Sequence, residues 1–130
     1  MKEYITGIQH IGLPTQKLEE TLCFYEALGF ERSFQTSLCL AERQQRVCFL
    51  RRANLVMEVY EEKVTAGAPG AIDHIALDVT DIDKVFDEVQ ALGYKSLEGE
   101  VKELPFWEKG VRFFTISGPN GEKVEFSQML

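Results

Sequence analysis

The stretch GIQHIGLPT at residues 7–15 returns 64 positions later in the chain as AIDHIALDV at residues 71–79. The two stretches align without a gap, and the alignment places His10 over His74. In both, apolar residues alternate with others around the histidine, a pattern typical of a β-strand that is buried on one face. Similarity at a constant offset indicates one structural unit present twice.

A helix is predicted directly after each copy, beginning near Gln16 in the first and near Asp81 in the second. Apolar residues recur there at spacings of four, three and three, which marks one face of an α-helix. They are Leu18, Leu22, Tyr25 and Leu28 in the first copy and Ile82, Phe86, Val89 and Leu92 in the second. Each helix is predicted to end at the glycine of ALGF (27–30) or ALGY (91–94), because glycine readily adopts the left-handed conformation that terminates helices.

Three extended segments are predicted after each helix. They cover residues 31–35, 45–51 and 54–61 in the first copy, and residues 95–98, 111–117 and 122–128 in the second. A tight turn is predicted at residues 52–54, and SGPNG at 117–121 predicts a hairpin turn. The order of elements is therefore βαβββ, twice, which is an α+β fold. We expect a single domain over residues 1–130, with module 1 at 5–61, a linker at 62–70 and module 2 at 71–130.

Charge and length limit the classes of function. The 130 residues contain 14 Lys and Arg against 21 Asp and Glu, a formal net charge of −7. A surface of this sign repels nucleic acid and anionic membranes, so we expect neither as a partner. The N-terminus lacks the pattern of a signal peptide, and no apolar run has the length of a membrane-spanning helix, so we expect a cytoplasmic protein.

Four residues are candidate metal ligands. The only two histidines, His10 and His74, occupy the same position of the repeat, and the last strands of the two copies align Glu58 with Glu125. A single histidine or glutamate on a strand is more often a hydrogen-bonded or solvated residue. However, both carboxylates have apolar neighbours that make a lone charge costly, and strand alternation predicts all four side chains on the sheet face without helices. Such a set favours a divalent ion, with Zn²⁺ and Ni²⁺ as first choices and Co²⁺, Mn²⁺ and Fe²⁺ as alternatives.

Four segments resemble recurring pieces of the vicinal oxygen chelate superfamily, which includes glyoxalase I, bleomycin-resistance proteins and extradiol dioxygenases. They are QHIGLPT (9–15), FYEALGFE (24–31), DHIALDV (73–79) and SGPNGEKVEF (117–126). The resemblance covers nearly the whole chain. It implies two βαβββ modules that form a cup-shaped mixed sheet with helices on the outer face. It also implies a metal ion held by the first and last strands of each module, at His10, Glu58, His74 and Glu125.

This ligand set looks most like bacterial glyoxalase I, the lactoylglutathione lyase. The resemblance implies conversion of a hemithioacetal, formed from a 2-oxoaldehyde and a thiol, into a 2-hydroxyacyl thioester through a metal-bound enediolate. It assigns Glu125 as general base and acid, with Glu58 in the complementary role. Other readings stay open: an acyl-CoA epimerase, a thiol transferase, or a non-catalytic small-molecule-binding or resistance protein of the same fold. The identities of the thiol and of the metal are open as well.

Five further residues are candidate contacts for a small-molecule substrate. Tyr60, and Phe106 and Trp107 in the loop predicted at 99–110, could form an apolar wall, and Arg112 and Lys123 could bind an anionic group. Aromatic residues of a small β-rich domain are more often core, and strand cations are more often solvated. We also expect a homodimer, because each module exposes sheet edges; the modules could pair within one chain or between two chains.

Overall fold

The repeat is present as two units, Met1–Thr65 and Ala66–Leu130, in the computed structural model, which describes residues 1–130. The boundary between the units falls inside the linker predicted at 62–70. Each unit contains one helix and one four-stranded sheet.

The first unit is a mixed sheet with one helix against it. The sheet has the order β1-β4-β3-β2, in which β1 runs parallel to β4 and the other pairs are antiparallel. The elements are β1 Ile11–Thr15, α1 Leu18–Ala27, β2 Glu31–Leu40, β3 Arg43–Arg52 and β4 Leu55–Glu61. The hairpin of β2 and β3 is longer than the predicted segments 31–35 and 45–51, and β3 and β4 are joined by the predicted tight turn.

The second unit repeats this topology. Its sheet has the order β5-β8-β7-β6, again with a parallel first pair, β5 and β8. The elements are β5 His74–Asp78, α2 Ile82–Ala91, β6 Lys102–Leu104, β7 Val111–Ser117 and β8 Lys123–Met129. The prediction of an α+β fold made of tandem βαβββ modules is confirmed. Neither ten-residue helix has the length and apolarity needed to span a bilayer.

The apolar face of each helix packs on its own sheet, as the spacing of three and four predicts. In the first unit, Leu22 and Tyr25 of α1 are fully buried, and α1 packs on β3 and β4. Both helices end as predicted, at Gly29 and Gly93, whose φ angles of 98° and 93° lie in the left-handed region. The central strands of each sheet present buried apolar residues to the helix, Leu50 and Met57 in the first sheet and Phe114 and Val124 in the second. The opposite face carries Glu58 in the first sheet and Glu125 in the second.

The prediction of a strand at residues 95–98 is wrong. This segment is irregular, and the edge strand β6 lies later, at Lys102–Leu104, inside the loop predicted at 99–110. Leu97 N donates to Thr115 O at 2.8 Å, but the Thr115 N–H is bonded by the carboxylate of Glu98, also at 2.8 Å. A side chain therefore replaces the backbone partner that a strand would supply. Partial burial opposes ionisation of this carboxyl, but its hydrogen bonds from Thr115 and Ser96 lower the pKa of Glu98 below its ordinary value.

The hairpin turn predicted at 117–121 is present. Gly118 N donates to Glu122 O at 2.8 Å, and Gly121 has a φ of 77°, which favours glycine. The Glu122 side chain fills the space where a Cβ at residue 118 would stand, so a larger residue there would collide with it. Burial raises the pKa of Glu122, and one of its carboxylate oxygens is buried without a hydrogen-bond partner.

Candidate functional site

His10 and Glu58 form a pair in the first unit. His10 lies one residue before β1, and the parallel register of β1 and β4 sets Gly12 beside Glu58. His10 is two residues from Gly12 and so lies on the same sheet face as Glu58. The imidazole Nε2 is 3.0 Å from Glu58 Oε2, and both side chains are about one-third exposed. The other ring nitrogen, Nδ1, is 2.9 Å from the side-chain oxygen of Gln9.

His74 and Glu125 form the equivalent pair in the second unit. His74 is the first residue of β5, and Ala76, two residues later, is the register partner of Glu125 on β8. The imidazole Nε2 is 3.3 Å from Glu125 Oε2. Nδ1 is 3.0 Å from the carboxylate of Asp73, the residue before the histidine, just as Gln9 precedes His10. The repeat found in the sequence is thus also a repeat in the contacts of the candidate ligands.

The hydrogen bond at Nδ1 determines what the other ring nitrogen can do. With the Nδ1–H donating to an oxygen, Nε2 is left to face the glutamate. If Nε2 is protonated, the two side chains form an ion pair; if it is not, a nitrogen lone pair and a carboxylate point at the same place. An imidazole and a carboxylate are donors that suit a divalent transition-metal ion. The residues of each pair therefore fit half of a metal site.

Neither unit supplies a complete ligand set. Within each unit no group of three or more His, Cys, Asp and Glu side chains is arranged to hold a metal ion. The paired residues account for two protein donors per unit. Neither unit by itself has the three or four protein ligands that transition metals usually have.

The second pair has a charged support that the first pair lacks. Lys123 Nζ is 3.1 Å from the second carboxylate oxygen of Asp73, so Asp73 bridges Lys123 and His74. The hydrogen bonds from His74 and Lys123 lower the pKa of Asp73, which keeps this carboxylate ionised. In the first unit the supporting group is the neutral amide of Gln9. An ionised partner makes an imidazole a stronger ligand and fixes its orientation.

If His74 is a metal ligand, replacing Asp73 by asparagine is expected to weaken metal binding by about 10- to 100-fold, the usual effect of losing such a supporting carboxylate. Zn²⁺ titration against a competing chelator measures the affinity. Asp78→Asn is the matched control, because Asp78 is an exposed carboxylate on the same strand whose removal changes the net charge equally. An equal loss in both variants would mean that only the overall charge matters and that Asp73 does not support His74.

The predicted substrate residues fall on both faces of the sheets. Tyr60 lies two residues after Glu58 on β4 and shares its face, and Lys123 shares the face of Glu125. Arg112 lies on the opposite face, where both of its terminal nitrogens bind the carboxylate of Asp83 on α2 at 2.7 and 2.8 Å. The structure therefore turns Arg112 toward the helix and away from the His74–Glu125 pair.

Phe106 and Trp107 are not brought to this pair either. They lie in the loop between β6 and β7 and are 55% and 76% exposed. Trp107 has a φ of 62°, a strained conformation for a bulky residue. Trp107 lines a hollow of about 390 Å³ formed by residues of β6 and of the loop after it, and neither His74 nor Glu125 lines this hollow. The loop ends at the start of β7. The register partner of Glu125 lies four residues farther along β7, at a distance of about 13 Å.

Two phenylalanines beside the first pair were missed by the sequence analysis. Phe49 is the register partner of Glu58, and its ring centroid is 5.9 Å from that of His10 in an edge-to-face arrangement. Phe34 is the register partner of Phe49, with ring centroids 6.1 Å apart. Counting outward from the predicted turn at 52–54 pairs residue 49 with residue 57, whereas the observed pairing of Arg52 with Leu55 moves the register by one and sets Phe49 beside Glu58. No comparable local turn relates Phe34 to the pair.

Comparison with known proteins gives a family and a fold. Residues 7–126 match the family model described as the Glyoxalase/Bleomycin resistance protein/Dioxygenase superfamily. Among curated proteins, the uncharacterized protein YwbC of Bacillus subtilis (strain 168) is 38% identical over 61 residues, which are 47% of this chain. That match spans only 46% of the length of YwbC.

Solved structures with the same fold are numerous. A glyoxalase family protein from Enterococcus faecalis has a TM-score of 0.78 at 19% identity, over 95% of this chain and 98% of the other. The fosfomycin resistance protein FosX from Listeria monocytogenes, in complex with Mn(II) and sulfate ion, has a TM-score of 0.71 at 19% identity. This second match covers 97% of this chain and 94% of the other. At these identities the likeness establishes the fold alone.

Proposed function

The chain belongs to the Glyoxalase/Bleomycin resistance protein/Dioxygenase superfamily, and on this basis we propose that it is a metal-dependent lyase or isomerase of glyoxalase type. The observation that carries the proposal is the duplicated contact between histidine and glutamate. In both units Nε2 faces Oε2, at 3.0 and 3.3 Å, and Nδ1 faces a side-chain oxygen of the preceding residue. Two imidazoles and two carboxylates in the same register position are a donor set that suits a divalent transition-metal ion, and a protein that only binds a small molecule has no need of this duplicated set.

The proposed ligands are His10, Glu58, His74 and Glu125, with Zn²⁺ or Ni²⁺ as the first choices of ion. Such an ion would supply a Lewis acid for two neighbouring substrate oxygens and so stabilise negative charge that develops on them. Because each unit contributes two ligands, two units have to combine. We propose a homodimer; the two pairs could come from one chain or from two chains.

The substrate in this proposal is the hemithioacetal of a 2-oxoaldehyde and a thiol, and the product is a 2-hydroxyacyl thioester. Glu125 takes the proton from the carbon that bears the hydroxyl group and returns it to the neighbouring carbon. Its side chain is 18% exposed, against 29% for Glu58, so it is the carboxylate better shielded from exchange with water. Glu58 takes the complementary role of holding the substrate and the ion in place.

Elemental analysis of the purified protein, with a thermal melt before and after chelation, tests the proposal first. We expect about one transition-metal ion per site and a lower Tm after chelation, because a ligand present at 100 times its Kd stabilises the folded state by ~2.7 kcal/mol. The loaded protein is then assayed with methylglyoxal and a panel of thiols, and formation of the thioester is followed. No uptake of any ion from a divalent panel would overturn the metal-dependent function and favour a binding protein of the same fold.

Two other outcomes would indicate neighbouring enzymes. Exchange of a proton on the carbon next to a thioester carbonyl, without reaction of methylglyoxal, would indicate an acyl-CoA epimerase. Consumption of the thiol by an electrophile other than an aldehyde would indicate a thiol transferase. Both outcomes would retain the metal site and replace the proposed reaction.

A further inference from the structure

The hairpin of β2 and β3 extends beyond the rest of the first sheet as a two-stranded ribbon. β2 and β3 stay paired as far as the turn, where Leu40 is opposite Arg43. β3 pairs with β4 only from Val47 to Arg52. Residues 37–40 and 43–46, which we call the ribbon, therefore lie in two strands without a third. A two-stranded hairpin is marginally stable in water unless a further strand or a helix packs against it.

The ribbon is held on its β3 side and uncovered on its β2 side. Gln45 and Arg46 of β3 donate to the carbonyl and to the carboxylate of Glu61 at 2.9 and 3.0 Å. On β2, every residue from 33 to 40 is exposed, and no backbone hydrogen bond from outside the sheet reaches residues 33–41. Every second residue of an antiparallel edge strand turns its N–H and C=O groups outward. The outer side of β2 is thus a row of unpaired backbone groups.

The corresponding edge of the second unit is protected, and the β2 edge is not. The edge strand β6 has three residues, two of which are Lys102 and Glu103, and Pro105 follows it directly. Short length, charge and proline are the features that keep an edge strand from pairing with another chain. The segment SFQTSLCLA at 33–41 is long and contains no charged residue, proline or glycine. The β2 edge therefore lacks each of these three safeguards.

Charges at the two ends of this segment make it complementary to itself. Glu31–Arg32 precedes the uncharged residues and Glu42–Arg43 follows them, so acid and base have the same order at both ends. An antiparallel pair of two such segments, centred on Ser37, brings acid near base at each end. A parallel pair in register would bring like charges together, which is destabilising. The charge order favours a second copy of this segment, in antiparallel orientation, as the partner.

The apolar side chains of β2 fit the same register. Phe34, Leu38 and Leu40 are 59%, 47% and 42% exposed, and they lie on one face because they are separated by even numbers of residues. Pairing about Ser37 sets Phe34 of each copy across from Leu40 of the other, and Thr36 across from Leu38. Aromatic and aliphatic pairs directly opposite each other are the contacts that stabilise antiparallel strands.

We propose that two copies of the chain associate through the β2 edge, antiparallel about Ser37, so that two four-stranded sheets join into one of eight strands. The two ribbons then form four neighbouring strands. Each chain has one such edge, so the contact is two-fold symmetric and closes after two copies. The contact does not rest on the proposed function, because β4, which carries Glu58, lies two strands or about 10 Å away from β2. An edge contact is small, so the association is weak and depends on protein concentration.

A disulfide at the two-fold axis tests the register. In Ser37→Cys the two new thiols lie directly opposite each other, and oxidised glutathione is expected to link them into a covalent dimer about tenfold faster than in the control, Gln90→Cys. Gln90 is exposed on α2, away from the sheet edge. The native Cys39 is also exposed on β2, but in this register its two copies are about 14 Å apart, too far for a disulfide. Equal rates for Ser37→Cys and Gln90→Cys would overturn the proposal.

Sedimentation over a range of protein concentrations tests the association itself. The unaltered protein is expected to approach twice the mass of Ser37→Lys, because that variant sets two ammonium groups opposite each other at the centre of the contact. Gln90→Lys adds the same charge elsewhere and is expected to behave as the unaltered protein. Equal masses of the unaltered protein and Ser37→Lys at every concentration would overturn the proposal, as would growth beyond a doubling. If Ser37→Lys does not fold, the comparison of the two cysteine variants still decides.

Chelation separates this inference from the proposed function. The twofold ratio of masses between the unaltered protein and Ser37→Lys is expected to persist in the presence of a chelator, since no candidate ligand takes part in the edge contact. If the chain takes up no metal and the ratio persists, the edge contact stands and the metal-dependent reaction does not. A ratio that disappears on chelation would assign the association to the metal ligands and would overturn the edge contact.

Discussion

His74→Ala is expected, under the proposed metal-dependent function, to abolish metal binding and to lower turnover of the hemithioacetal by at least about a thousandfold. The substitution removes one of the two protein donors of the second unit and leaves Glu125 without its partner at Nε2. Loss of a single donor to a developing oxyanion already costs about 10²- to 10³-fold in enzymes, and loss of the ion removes that stabilisation entirely. Metal content after dialysis and the rate of thioester formation are the two measurements.

Variants at the glutamates distinguish metal binding from proton transfer. Glu125→Gln keeps the shape of the side chain but removes the basic carboxylate, so we expect turnover to fall about a thousandfold, even where metal is retained. Glu58→Gln is expected to lower metal content more than it changes the proton-transfer step. Unchanged metal content and unchanged metal-linked Tm in His10→Ala, His74→Ala, Glu58→Gln and Glu125→Gln would show that the four residues are not ligands. Circular dichroism of each variant verifies that it folds.

Phe114→Ala is expected to lower the free energy of unfolding by about 3–5 kcal/mol, the largest effect on stability in the second unit. Phe114 on β7 is fully buried between two other rings. Its centroid lies 5.0 Å from that of Phe86 on α2, edge to face, and 4.9 Å from that of Phe126 on β8, stacked. Truncation leaves a cavity between the helix and the two strands, and Phe126 is the neighbour of Glu125. Urea unfolding measures the change.

Phe106→Ala is the matched control for Phe114→Ala. Phe106 is 55% exposed in the loop before β7, so the same truncation in the same unit is expected to cost about 0.5 kcal/mol or less. Similar losses in the two variants would contradict the assignment of Phe114 to the core. In the folded fraction of Phe114→Ala, we expect metal binding to persist with lower Tm, because the ligands lie on the opposite face of the sheet.

Elements with strong local signals were predicted closely. The strand at 111–117 has the observed limits, and the turn at 117–121 and the helix ends at Gly29 and Gly93 are where the sequence indicates. The prediction failed at 95–98, a strand that was placed as the equivalent of residues 31–35 in the first copy. There a carboxylate, Glu98, bonds the N–H of Thr115, and no local pattern reports a side chain that replaces a backbone partner 17 residues away.

The candidate ligands were predicted from the alternation of side chains along a strand, in which residues two apart lie on the same face of the sheet. The same reasoning holds for Lys123 but does not place Arg112. Lys123 shares a face with Glu125 because the two residues are two apart on one strand. Arg112 lies on another strand, so its face depends on the pairing of β7 with β8, which places it beside Gln128 and against α2. Whether two residues on different strands lie on the same face of the sheet depends on the register between those strands, and the tertiary structure sets this register.

The order of the elements, the existence of two equivalent units and the four candidate ligands follow from periodicity and repetition, because hydrophobic burial imposes the same local spacing wherever a helix or a strand packs on one face. The contacts of those ligands do not follow from it. Three kinds of contact depend on which strands pair and in which register. They are the contact of Nε2 with a glutamate, the bridge of Asp73 between His74 and Lys123, and the succession of rings from His10 to Phe49 and Phe34. Pairing brings together residues that are far apart in the chain, and a shift of one residue would turn every side chain to the other face.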